Sequence, residues 1–220
     1  MMWIQHVDTV DLAFKGLIIG VVASAPMGPV GVLAVKRTLN KGRWYGFVTG
    51  VGAAVSDLLY ALITGMGMSF VMDFVEQPRN MYALQLTGAA MLFLFGLFTY
   101  RSDPTRSLHP SGSKRGSLMQ NGLTGFIVTL SNPLIVFLLV ALYARFAFVV
   151  PRHPLEQSVG YLGILVGSLL WWYGLTYFIN RVRNRFDIKR IIWLNRTIGV
   201  VVMVASLLGF YFTLRGRALY

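Results

Sequence analysis

Cysteine is absent from this chain of 220 residues. Disulfides, thiolate metal sites and thiol redox chemistry are therefore excluded, and with them a membrane carrier of thiol electrons. Histidine is scarce: His6, His109 and His153 all fall between apolar runs, so they assemble neither a metal cluster nor an intramembrane catalytic dyad. Acidic residues are scarce as well, 8 Asp and Glu against 20 Lys and Arg. The net charge of +12 would suit nucleic acid, but most of the bases lie in short segments between apolar runs, where membrane topology accounts for them. Nucleic acid is accordingly not expected as a partner. Charge of either sign makes up only 13% of the chain, against 55% hydrophobic residues and a mean hydropathy of +0.62. That balance describes a polytopic membrane protein whose partners include the surrounding lipids. No span carries a nucleophile beside a base, so an enzyme fits poorly, and nothing implies a cofactor.

What the chain has in abundance is long apolar runs. Six of them reach the length of about 20 residues that a hydrocarbon core requires: 12–35, 45–71, 82–100, 123–144, 159–180 and 194–214. The stretch before the first run carries Asp8 and Asp11 rather than basic residues, and the run is too long for a signal-peptide core, so the first span is expected to be retained. Lys36, Arg37, Lys41 and Arg43 follow span one; Arg101, Arg106, Lys114 and Arg115 follow span three; Arg181, Arg183, Arg185, Lys189, Arg190 and Arg196 follow span five. The other side carries only Arg79, Arg145, Arg152, Arg215 and Arg217, together with Asp8, Asp11, Asp73, Glu76 and Glu156. Lys15, just inside span one, can snorkel outward. The positive-inside rule then places both termini outside and the three basic segments in the cytoplasm, as expected of a multi-pass protein of a bacterial inner membrane.

One segment, 101–122, has linker character, with Ser-Asp-Pro, His-Pro-Ser-Gly-Ser and Lys-Arg-Gly. It divides the chain into 1–100 and 123–220, three spans each. An odd number of crossings per half inserts the second half upside down relative to the first. The expected fold is thus an all-α membrane protein of six helices, a 3+3 inverted repeat of the kind common among transporters. Its best sequence support is that span one breaks at Gly28-Pro29 and its counterpart, span four, at Asn132-Pro133.

Proline favours the first position of a helix, and Asn is among the best residues just before it, because its side chain accepts a free backbone N–H. Asn132-Pro133 therefore reads as a half-helix start about 14 Å into the bilayer. Gly28-Pro29, within Pro26-Met27-Gly28-Pro29, has the same form, with Gly28 admitting close approach of another backbone. Helix N-termini carry partial positive charge and free donors, so two of them facing each other would bind an anionic group such as a carboxylate. Ser24, Thr129 and Ser131 stand close enough in sequence to add hydroxyls. The alternative is a pair of proline kinks whose freed carbonyls those hydroxyls satisfy.

Asp57 lies near the middle of span two, and a carboxylate at that depth costs on the order of 2.5 to 3.5 kcal/mol on insertion scales. Around it on one helical face stand Gly50, Ala53, Ala54, Tyr60, Ala61 and Thr64, a small or polar face suited to the bundle interior. No basic residue lies deep enough to pair with it. With Tyr60 it forms the candidate proton-coupling group, a carboxyl that takes up and releases a proton during a transport cycle. The alternative is an Asp hydrogen-bonded to Tyr60 or a backbone carbonyl for packing alone. Gly42, Gly46, Gly50 and Ala54, Gly16 with Gly20, and Gly163 with Gly167 form small-residue ridges for close helix packing, some of them available to a homodimer face. Trp171, Trp172, Tyr173 and Tyr177 read as core or interface aromatics.

Pro26-Met27-Gly28-Pro29, then Lys36-Arg37, Val55-Ser56-Asp57 and the later Gly65 and Gly67 resemble the lysine exporter (LysE) family of amino-acid exporters. Asn132-Pro133 and the apolar residues that follow resemble its second signature. The resemblance implies export of amino acids or similar small metabolites, driven by the proton gradient, with Ser24, Pro26, Gly28, Pro29, Thr129, Ser131, Asn132 and Pro133 around the substrate. The closest branch, that for basic amino acids, has Gln-Asn after the second proline, where this chain has Val30-Gly31. That difference removes two polar side chains and weighs against a basic substrate. Two other readings stand beside amino-acid export: an inorganic-ion transporter of the same superfamily, and a non-transporting membrane factor for assembly or regulation.

Overall fold

A computed structural model describes residues 8–26, 28–75, 78–101, 116–132, 134–150, 153–182 and 189–215. The described residues form eight helices and no strands: α1 (Thr9–Ser24), α2 (Pro29–Lys41), α3 (Arg43–Val75), α4 (Pro78–Arg101), α5 (Leu118–Leu130), α6 (Leu134–Phe146), α7 (Pro154–Arg181) and α8 (Lys189–Leu214). Three of them, α3, α7 and α8, are long and apolar enough to cross a membrane singly. Two bent pairs pass the same test together, α1 with α2 at 79° and α5 with α6 at 73°. The chain is therefore a multi-pass membrane protein. Each bend falls at a predicted break, Pro26 to Pro29 and Asn132.

The helix ends follow from local chemistry. Asp8 caps α1, its Oδ1 accepting from the N–H groups of Val10 and Asp11 at 2.9 and 3.4 Å. Several ends differ from the sequence expectation, α7 and α8 starting at Pro154 and Lys189 rather than at 159 and 194, and two of the differences have a local cause. The α2 helix continues past residue 35 to Lys41, so Lys36, Arg37 and Lys41 are helical rather than in a loop; Gly42, at φ +107°, makes the one-residue turn into α3. The α5 helix starts at Leu118, inside the segment read as a linker, because Ser117 and Gln120 form a reciprocal capping box there. The rest of that segment, 102–115, lies outside the described residues.

Glycine decides which helices touch. A Cβ at Gly16 or Gly20 of α1 would run into the backbone of Gly160 or Ile164 of α7, and one at Gly163 or Gly167 into Ala13 or Leu17 of α1. In the same way Gly52 of α3 lies on Gly122 of α5, and Gly125 of α5 on Thr49 of α3. Gly96 of α4 meets Gly199 of α8. Close backbone approach replaces the hydrophobic drive that lipid does not supply. Ser168 adds a buried hydrogen bond from its hydroxyl to the Gly20 carbonyl at 3.2 Å. The ridges named from sequence thus serve packing within one chain: Gly46 lies against Thr38 of α2 and Gly50 against the Trp172 ring.

Arg37 ties α2 to α3 and α5, its guanidinium donating to Thr49 Oγ1 of α3 and to the Asn121 carbonyl of α5, both at 2.8 Å. The core is apolar around Ile19, Leu138, Leu139, Tyr143, Phe148 and Ile164, with a second cluster of Val32, Val35, Ala53, Ala54 and Trp172. Large apolar side chains also cover the outside, among them Phe14, Ile63, Leu94, Leu162, Phe178 and Val201, each more than half exposed. In a bilayer that surface faces lipid.

Candidate substrate site

Both helix breaks and Asp57 meet at one cavity of about 90 Å³. The first break supplies Ser24, Pro26, Gly28, Pro29 and Val30; the second supplies Val128, Thr129, Asn132 and Ile135. Asp57 enters from α3, one turn after Ala53, and is buried at 3% exposure. Two interrupted helices and a carboxylate thus come to one place, and the N–H groups of Gly28, Asn132 and Ile135 at the breaks bond within the chain.

Ser24, the last residue of α1, donates its hydroxyl to Asp57 Oδ2 at 3.1 Å, a buried bond between the first break and α3. Among the described residues, no Lys, Arg or His lines the cavity. The alternative pairing of Asp57 with Tyr60 does not occur: the Tyr60 hydroxyl donates to the Leu130 carbonyl at 2.5 Å. That carbonyl is at the end of α5, where the break leaves it without its in-helix donor. Tyr60 therefore seals the second break rather than touching the carboxylate, and it is not among the cavity's lining residues.

The hydroxyls divide in the same manner. Thr129 is buried and lines the cavity, and its Oγ1 has no hydrogen-bond partner. Ser131 turns away, its hydroxyl donating back to the Ile127 carbonyl at 2.8 Å, and its residue is exposed. Asn132 takes the junction: its N–H donates to the Thr129 carbonyl at 3.0 Å, and its own carbonyl accepts from Ile135 at 3.5 Å as α6 begins. Pro133 lies outside the described residues. Gly28 precedes Pro29 in extended backbone, φ −70° and ψ −170°, and a Cβ there would meet nothing within 4 Å. The expected close approach of another backbone at Gly28 is therefore absent among the described residues.

Sequence reasoning missed the far wall. Phe95, Phe98 and Thr99 of α4, Trp172 of α7 and Asn195 of α8 complete the lining. Asn195, 1% exposed, donates from Nδ2 to the Thr99 carbonyl at 2.6 Å and so locks α8 onto α4 beside the cavity. No sequence signal was available: Thr99 stands beside Tyr100 and Arg101 and Asn195 beside Arg196 and Thr197, near helix ends where polar residues are ordinary.

A membrane bundle with two interrupted helices around a buried carboxylate is the architecture of a solute transporter. The comparisons give the family: the sequence model of the LysE type translocators matches residues 21–216, and the chain belongs to that family. A Bacillus subtilis (strain 168) protein named "Putative amino acid efflux protein YcgF" is 29% identical over 204 residues, 91% of this chain and 94% of the relative. An Escherichia coli (strain K12) protein named "Uncharacterized membrane protein YahN" is 24% identical over 183 residues, 80% of this chain and 78% of the relative. No solved structure matches.

Proposed function

We propose that this translocator exports an amino acid or a similar small metabolite from the bacterial cytoplasm in exchange for protons. The observation that carries the reading is the meeting of both helix breaks with the buried Asp57 at one cavity. A zwitterion matches it group for group. Its carboxylate suits the positive dipole ends at the starts of α2 and α6, its ammonium suits Asp57, and the Thr129 hydroxyl supplies a further bond. The same carboxyl can hold a proton or an ammonium but not both, so solute and proton alternate on it and each is carried when the other is absent. The family name and the efflux relative support the direction and the solute class. An inorganic cation would want more than one anionic oxygen ligand, whereas Asp57 is the one carboxylate among the described lining residues.

In this reading the bundle has six spans arranged as the 3+3 inverted repeat, with α1 and α2 forming the first span and α5 and α6 the fourth. Packing supports it. The first half-helix of each bent pair docks on the middle span of the other half, α1 on α7 and α5 on α3. The third and sixth spans, α4 and α8, meet glycine to glycine at Gly96 and Gly199, as two copies related by a pseudo-twofold axis would. Charge orients it with both termini outside and the protein in the inner membrane.

Purified protein in proteoliposomes tests the coupling. Asp57→Asn should abolish uphill, proton-driven export while the protein remains folded and able to exchange solute for solute. Uphill export by that variant would show that the proton is carried elsewhere, and full activity with no solute dependence on Asp57 would favour a different site altogether.

A further inference from the structure

Arg37 carries a charge with no carboxylate beside it among the described residues. It stands near the end of α2, half-buried, and both of its hydrogen bonds, to Thr49 Oγ1 of α3 and to the Asn121 carbonyl of α5, go to neutral acceptors. None of the ion pairs among the described residues includes it. Thr49 is fixed as an acceptor because its own hydroxyl donates to the Tyr45 carbonyl at 2.7 Å. The three residues stand two turns from the cavity on three helices at once. Arg37 follows the lining residue Pro29 by eight positions, Thr49 precedes the lining residue Asp57 by eight, and Asn121 precedes the lining residue Thr129 by eight. Each interval is about 12 Å along its helix, at roughly 1.5 Å per residue.

We infer that Arg37 gates the cavity, barring the approach to it from the membrane face at which α2 ends. The floor of that approach is α3: Gly46 brings it against Thr38 and Ala34 of α2, and Gly52 brings it against Gly122 of α5. The Arg37 side chain reaches from the α2 wall to the floor at Thr49 and to the α5 wall at Asn121. Thr49, Ala53 and Asp57 share one face of α3, and Asn121, Gly125 and Thr129 share one face of α5. Between the guanidinium and the cavity those two faces therefore carry only Ala53 and Gly125. A carboxylate would hold such a crossbar more firmly than two neutral oxygens do, and a latch that opens in every cycle needs the weaker hold. When the guanidinium swings out it exchanges both bonds for water, and the glycine contacts of α3 with α2 and α5 stay closed. The inference rests on the cavity as the solute site, and its test reads access alone, so it can fail while proton-driven export through Asp57 stands.

Because the chain has no cysteine, a single introduced thiol reports access without background. Val128→Cys places it in the cavity lining, and Asn40→Cys, at an exposed position just beyond Arg37, marks the face at which α2 ends. Membrane vesicles in which external reagent labels Asn40→Cys present that face outward. The reagent is a membrane-impermeant methanethiosulfonate bearing a sulfonate. Its negative charge matters: losing Arg37 removes an attraction and by charge alone would slow the reaction. Val128→Cys should react slowly while Arg37 is present and faster by about tenfold or more in Arg37→Ala, the population shift that loss of a hydrogen bond to a charged group allows. Should Arg37→Ala fail to elute as a folded protein on size exclusion, Thr49→Val, which removes one acceptor and keeps the charge, is read by the same criterion. An unchanged or lower rate in the folded variant would overturn the gate, and so would labelling of Val128→Cys at the rate of Asn40→Cys with Arg37 in place.

Discussion

At Thr129 a hydroxyl is buried without a partner while the neighbouring Ser131 bonds back to its own helix. The two residues stand two positions apart, yet only one can serve a solute. An unsatisfied buried hydroxyl costs about 1 to 3 kcal/mol, so nothing in the fold gains from keeping it there empty. Thr129→Val keeps the shape and removes the group. Thermal stability should be unchanged or raised, while the Michaelis constant for export rises about tenfold, the loss of one hydrogen bond of roughly 1.4 kcal/mol. Ser131→Ala should leave transport as it is. Equal transport by Thr129→Val and the native protein would show that the hydroxyl is idle.

Among the helices, glycines that look alike in sequence have unlike duties. Gly20 has the Ile164 backbone against it, whereas Gly28, the more conspicuous residue in its Pro-Met-Gly-Pro setting, sits in open space with a backbone that alanine also adopts. Gly28→Ala should therefore fold normally, and Gly20→Ala should lose about 1 to 3 kcal/mol by forcing α1 from α7. Thermal unfolding in detergent separates them; a larger loss at Gly28 would reverse the assignment. The contrast also shows what a sequence can and cannot reveal. A break or a charge in an apolar run is costly in lipid wherever it lies, so Pro29, Asn132 and Asp57 stood out as candidates with no knowledge of the fold, and the fold brings all three to one cavity. Which way a side chain turns at a break depends on the 79° and 73° bends, and periodicity has no meaning across a bend. Hence Ser131 and Tyr60 were grouped with the site although neither lines it. Phe95, Phe98 and Trp172 remained hidden because an aromatic on an apolar helix faces core, cavity or lipid with the same composition. The ends of α2 and α5 moved for local reasons, the turn at Gly42 and the Ser117 cap, which hydropathy does not weigh.

For the whole molecule, the basic residues that follow the first, third and fifth spans in the sequence predict a sidedness that reporters can read. A periplasmic reporter fused after Tyr220 should be active, and activity of a cytoplasmic one there would invert the proposed orientation.

Sidedness in turn fixes the electrical sign of the cycle. In the proposed exchange a zwitterion leaves with Asp57 ionised and the site returns with Asp57 protonated, so one positive charge enters the cell for each solute exported. That movement gains about 2.3 kcal/mol per 100 mV of inside-negative potential, or roughly fiftyfold in the accumulation ratio that export can sustain. A monocationic solute would exchange for the proton without net charge and gain nothing from the potential. Proteoliposomes with the native sidedness and a potassium diffusion potential set by valinomycin distinguish the two. Export of a neutral amino acid should accelerate when the interior is made negative at constant pH on both sides, and slow when it is made positive. A rate indifferent to the potential would mean that a second charge moves with the solute, and that Asp57 is not the group that carries the proton alone.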